Sequence, residues 1–175
     1  MLVLTLGVAA LAAPAQAGAA GSGGIGDGTG GYTNTTPGSK AKLKDGYAVP
    51  PANAPRKVVR AIEAANRIVK GKPYCLGGGH KRWESRCYDC SGTVSYALGK
   101  KGARVLDAPM PSGSFMNWEK RGRGKWITVY ANGGHMYAVI AGLRLDTSMT
   151  DGDGPGWSRT QRHQAGYKIR HPKGL

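Results

Sequence analysis

The chain has 175 residues, enough for one domain, and carries 25 Lys plus Arg against 10 Asp plus Glu, a formal charge of +15. Apart from its N-terminus, no apolar run approaches the ~20 residues with which a helix crosses a bilayer, so the mature protein is expected to be soluble outside the membrane. A positive field of this size draws the protein toward polyanions such as nucleic acid, anionic lipid or a carboxylate- and phosphate-bearing wall. The basic residues are spread from Lys40 to Lys173 with little aromatic interleaving, so most of them read as solvated surface.

Residues 1–17 run through an uncharged Ala- and Leu-rich core into Ala15, Gln16 and Ala17, the small-x-small pattern of a cleaved export signal. The lack of a basic residue before Leu2 points to a translation start upstream of Met1. Residues 18–54 form the expected flexible spacer. Its first half is Gly, Ser, Thr and Ala, which cannot bury enough surface to offset ordering entropy, and its end, Val49 to Pro55, is stiffened by prolines. The domain is expected over residues 55–175, exported and extracellular or wall-associated.

Pro55 suits the first turn of a helix, and Val58, Val59, Ile62, Ala65 and Val69 follow at helical spacing, so a helix is predicted over 55–70, stopped by Gly71 and Pro73. A second, short helix is predicted over 91–98, where Val94, Ala97 and Leu98 share a face and Gly99 ends it. Residues 101–124 read as turns. Residues 126–130 alternate as a strand, 135–141 form an apolar run of the central-strand kind, Gly142 turns the chain and 143–147 form a third strand; 169–171 add an edge. Helices followed by an antiparallel sheet define an α+β domain.

The segment from Tyr74 to Gly92 holds all three cysteines and admits three chemistries. Cys75, His80, Cys87 and Cys90 make a Cys3His metal set, although the spacing is unusual for a zinc knuckle. Cys87 and Cys90 alone make a Cys-x-x-Cys redox pair at a helix start, without the βαβ surroundings such a site has. In the third reading Cys75 and Cys87 form a disulfide and Cys90 stays free. It then stands before a helix whose first-turn N–H groups favour a thiolate, and the N–H groups of Cys90 and Ser91 make an oxyanion hole.

A nucleophile needs a base. Of the four histidines, His163 and His171 lie among basic and polar residues near the C-terminus and read as solvent-exposed, while His80 sits in the cysteine loop without rigid support. His135 follows the Asn132, Gly133, Gly134 turn and opens the most apolar strand, where a site is commonly built. With a hairpin turn at Ala141 and Gly142, Tyr137 lies opposite Asp146, which is then diagonal to His135 and able to orient its ring. A one-residue slip would place Thr147 there instead.

With these residues in place, the sequence resembles the NlpC family of bacterial cell-wall cysteine peptidases, a papain-like superfamily. The motif Asp-Cys-Ser-Gly stands at Asp89, Cys90, Ser91 and Gly92; Pro-Tyr-x-x-Gly-Gly stands at 73–78; the Gly-His strand stands at Gly134 and His135 onward. The resemblance spans roughly residues 55–148. It implies a papain-like fold and a thiol hydrolase of peptidoglycan stem peptides, with Cys90 as nucleophile, His135 as base and Asp146 as third residue. It further implies that Asp89 and Ser91 help bind the substrate's amino end, with Tyr74 beside the nucleophile. The family's Pro-Gly-Asp-Leu strand is replaced by residues 124–130, and its third residue is more often His, Asn or Gln. No metal or cofactor is expected. The expected partners are stem peptides and anionic wall polymers rather than nucleic acid, and the protein is expected to be a monomer. The alternative function is an inactive, basic wall-binding protein.

Overall fold

The chain from Lys42 to Val49 makes a hairpin of two three-residue strands, β1 (Lys42–Lys44) and β2 (Tyr47–Val49), paired with Lys42 opposite Val49. The turn residues Asp45 and Gly46 have φ of 51° and 82°, the left-handed pair that suits a right-twisted ribbon. The computed structural model describes residues 38–148 and 154–175. The expected export signal and residues 18–37 of the expected spacer therefore lie outside the described residues. Residues 41–54 correct the spacer expectation. Ala48 is fully buried, and the Ala41 N–H donates to the Ala141 carbonyl, so this stretch belongs to the folded body.

Helix α1 (Arg56–Ile68) starts behind Pro55 and buries Val58, Ala61, Ile62, Ala65 and Ile68 along one face. Asn66 on that helix joins three elements. Its Oδ1 accepts from the Ala48 N–H and from the Trp157 indole, and its Nδ2 donates to the Ala48 carbonyl at 2.8 Å. Helix α2 (Cys90–Leu98) buries eight of its nine residues, as a helix in the middle of a domain must. The turn-rich stretch after it contains one short helix, α3 (Ser112–Phe115).

The remaining strands form one six-stranded antiparallel sheet. In chain order they are β3 (Lys120–Arg121), β4 (Ile127–Ala131), β5 (Met136–Ile140), β6 (Leu143–Asp146), β7 (Gly156–Ser158) and β8 (Lys168–His171). In space the order is β3, β8, β4, β5, β6, β7. β8 was expected at the edge; it pairs instead with both β3 and β4, because a returning C-terminal segment fills the open side of β4. Ile127, Val129, Met136, Ala138, Ile140 and Leu145 face α1 and α2 and make the core with Val58, Ile62, Val94 and Leu98. The alternate residues Thr128, Tyr130, Tyr137, Val139, Arg144 and Asp146 face the other way. The chain is thus a mixed α/β protein with few helices and antiparallel sheets. Among the described residues no helix is long and apolar enough to cross a membrane.

Candidate active site

Asp89 caps α2. Its Oδ1 accepts from the Gly92 N–H at 2.7 Å and from the Ser91 hydroxyl at 3.0 Å, and its Oδ2 accepts from the Gly77 N–H at 3.0 Å. His80 Nε2 stands between Asp89 Oδ2, at 2.8 Å, and Ser91 Oγ, at 2.7 Å. A carboxylate offers about four lone-pair sites, so Asp89 is saturated by its own chain. The cluster ties the 77–80 loop to the helix start. His80 is therefore supported after all, a correction that follows from the loop folding back over α2.

Cys75 and Cys87 form a disulfide, with Cα atoms 5.6 Å apart, and Cys90 is free. Their sulfurs are consequently not available as a thiolate metal set, and Cys87 does not pair with Cys90. Among the described residues no group of three His, Cys, Asp or Glu is placed to hold a metal ion. The loop and the helix meet backbone to backbone: a Cβ on Gly92 would run into the Gly78 carbonyl oxygen.

Cys90 is the first residue of α2 and half-buried. The Gly92 and Thr93 N–H groups are occupied by the Asp89 side chain and carbonyl. Those of Cys90 and Ser91, at the first two helical positions, have no intrahelical acceptor and remain for a ligand oxygen. Tyr74, 43% exposed, lies beside this point; burial and then the negative charges of Cys90 and Asp89 raise its pKa.

His135 stands just before β5, held from behind by its N–H donating to Asn132 Oδ1 at 2.8 Å. Its Nε2 is 2.9 Å from Asp146 Oδ1. The Cys90 side chain lies near enough to the ring to raise its pKa. With Nε2 turned to the carboxylate, Nδ1 is the nitrogen left for sulfur. Burial depresses the imidazole pKa, but the hydrogen bonds and charges of Asp146 and Cys90 outweigh it and raise the pKa to about 9.

Asp146 is 1% exposed. Besides His135 it accepts from the N–H groups of Thr147 and Ser148, at 2.7 and 3.2 Å, and meets Arg162 at 3.1 Å and Arg144 at 3.4 Å through Oδ2. Burial pushes the carboxyl pKa up; the hydrogen bonds from His135, Ser148 and Arg162 reverse this and hold it below the usual range. The sequence reasoning missed Arg162 and Arg144 and set His80 aside. Arg144 carried a signal, two residues from Asp146 and so on the same strand face; Arg162 carried none. Thr147, the alternative third residue, meets Asp146 through its backbone N–H. His163 is exposed, whereas His171 lies in β8 with Nδ1 3.1 Å from the Gly122 carbonyl.

The fold and this cluster define a mixed α/β protein with a free thiol at a helix start, an imidazole against it and a buried carboxylate behind the imidazole. No protein-family model matches the chain, and no curated protein matches it. Among solved structures, the crystal structure of the P60 domain from an antigen of M. avium subspecies paratuberculosis aligns with 67% of this chain and 96% of its own. The identity is 19% and the TM-score 0.45, a likeness too low to assign any residue a role.

Proposed function

We propose that the chain is a thiol hydrolase of the papain-like kind that cuts amide bonds in peptidoglycan stem peptides outside the cell. One observation carries the reading: the buried Asp146 holds His135 Nε2 at 2.9 Å, and the same ring is near enough to the free Cys90 at the start of α2 to have its pKa raised by it. The residue pattern shared with the NlpC family supplies the substrate class. Residues 1–17 act as the export signal, those after them as a tether, and the body described above as the catalytic domain.

In this reading Cys90 passes its proton to His135 Nδ1, and the thiolate attacks the carbonyl carbon. The oxygen, now negative, is held by the Cys90 and Ser91 N–H groups. The C–N bond breaks as the imidazolium returns the proton to the leaving amine. Water, deprotonated by His135, then attacks the thioester and releases the acid and the free thiol. Asp146 keeps the ring in the tautomer and orientation that present Nδ1 to sulfur. Tyr74 contacts the substrate, while Asp89 and Ser91 serve its amino end by holding the 77–80 loop in place.

Digestion of purified peptidoglycan by the parent and by Cys90→Ala tests this. Soluble muropeptides and new amino groups from the parent alone are the expected result, with mass spectrometry naming the bond. Binding to the wall without products over long incubation would sink the enzyme reading in favour of an inactive wall-binding protein.

A further inference from the structure

The sheet face turned away from the core is not closed at the end remote from His135. A cavity of about 400 Å3 opens there, floored by Thr128, Tyr130 and Val139 and rimmed by Lys40, Arg123 and Lys125. A second, of about 300 Å3, shares Lys40 and Gly142 with it and adds Lys42 and Arg159. Among the described residues, together they make one trough lined by five basic side chains and by no Asp or Glu.

Three of the cations are held by neutral groups. Arg123 donates to Gln164 Oε1 at 2.6 Å, Arg159 donates to the Leu43 carbonyl at 2.8 Å, and Lys125 sits 6.0 Å above the Trp126 ring. None of Lys42, Arg123, Lys125 and Arg159 joins an ion pair among the described residues. Their charges are therefore positioned but not cancelled, and a concave wall of one sign concentrates the opposite charge. Four such cations along two joined hollows suit a chain of repeating anions better than a single ion. Trp126 and Tyr130 are only 8% and 3% exposed, so the trough offers no ring face for a base to stack on, as a single-stranded nucleic acid would need.

We propose that this trough binds a linear, base-free polyanion, a chain of phosphodiester- or carboxylate-bearing repeats. Val139 stands four residues along β5 from His135, about 13 Å at the usual strand rise, and neither Cys90 nor His135 lines the trough, although its floor at Tyr130, opposite Tyr137, reaches toward them. The site goes beyond the hydrolase reading and holds whether or not Cys90 is a nucleophile.

The test measures affinity of the full chain for poly(glycerol phosphate) across a salt series, in the parent and in two triple variants. Lys42→Glu with Arg123→Glu and Lys125→Glu is expected to weaken binding about ten-fold or more and to flatten the salt slope. Arg56→Glu with Lys57→Glu and Lys100→Glu changes the net charge equally at exposed positions elsewhere and is expected to bind nearly as the parent does. Equal losses in both triples would overturn the site, leaving only a diffuse field, and so would tighter binding of an oligothymidylate than of the polymer. Displacement by polyglutamate or its failure tells a carboxylate chain from a phosphate one, the site standing in either case. Acylation footprinting of the unaltered chain guards against a misfolded variant: polymer should shield Lys42 and Lys125 but not Lys57 and Lys100, and uniform shielding would overturn the proposal. Hydrolysis of a small soluble stem peptide should not change in the trough variant, which keeps this outcome distinct from that of the catalytic reading.

Discussion

His135 and Asp146 meet at 2.9 Å because a two-residue turn fixes the register between their strands. Ala141 and Gly142 have φ of 47° and 85°, and Ile140 pairs with Leu143, so Asp146 falls diagonally across from the residue just before β5. Lengthening that turn by one residue would move the carboxylate to the other face of β6 and separate the pair.

Asp146→Asn should reduce kcat on a defined stem peptide by roughly 10²–10⁴-fold, since the amide no longer enforces the productive tautomer. Asp146→Ala should also destabilise by about 3–5 kcal/mol, because Arg144, Arg162 and His135 lose the carboxylate that compensates them. Chemical denaturation together with single-turnover assays checks both. Full activity in either variant would remove Asp146 from the mechanism.

The thiolate–imidazolium pair formed when Cys90 passes its proton to His135 needs that ring protonated, so kcat/KM should fall on the alkaline side through an apparent pKa of about 9, and that limb should move down in Asp146→Asn. Stability follows the same group. The folded pKa lies above the ordinary 6.5, so the folded state binds the proton more tightly than the unfolded chain does. This contribution is complete below about pH 6.5 and is lost as pH rises through about 9. Asp146 acts in the opposite sense: its lowered pKa adds stability above 3.8 that disappears as pH falls through the folded value. A pH–rate profile and melting curves from pH 3 to 10 read both; a flat rate between pH 8 and 10 would contradict the ion pair.

Only one of the three cysteines should react with iodoacetamide under native conditions, and peptide mapping should place it at Cys90. Replacing Cys75 and Cys87 together by Ser should cost about 3 kcal/mol, the chain-entropy value for a loop of this size. Turnover should drop beyond what the lost stability explains, because Tyr74 and Gly77 are set by that loop. Unchanged kcat/KM in the double variant at low temperature would show that the loop needs no clamp.

His80→Ala should raise KM more than it lowers kcat, since it loosens the 77–80 loop without touching Cys90. Gln in place of His80 should restore part of the loss by donating to Asp89. An equal fall in kcat for both variants would point to a direct part in the reaction.

Asn66→Ala should cost roughly 3 kcal/mol, because it strands the buried Ala48 N–H and Trp157 indole N–H. Hydrogen exchange should then accelerate first in the hairpin at 42–49, ahead of β4 and β5. Uniform acceleration would mean that the hairpin does not open separately.

The parts legible in the sequence are those governed by local rules. Pro55 and Gly99 bounded the two longer helices, the spacing of apolar residues gave the buried face of α1 but not the burial of α2 on nearly every side, and the Ala141–Gly142 turn gave the register that puts Asp146 beside His135. The hairpin at 42–49 escaped because its strands are three residues long and carry two lysines, too short and too polar for a period to show. Arg162 reaches Asp146 across 16 residues, and His80 reaches Ser91 only because the 75–87 disulfide loop folds back. Contacts of this kind depend on where the tertiary fold returns a loop, and no single-chain periodicity encodes that.

The contact between Gly78 and Gly92 sets how the cleft can move. A joint padded by side chains has slack, because rotamers can exchange and let two elements slide by fractions of an ångström. Here peptide rests on peptide, and the only adjustable parts are bond angles and backbone torsions, which are stiff. The loop that follows Tyr74 and the helix that carries Cys90 are therefore expected to move as one piece, whereas His135 is set separately, on its Asn132–Gly134 turn.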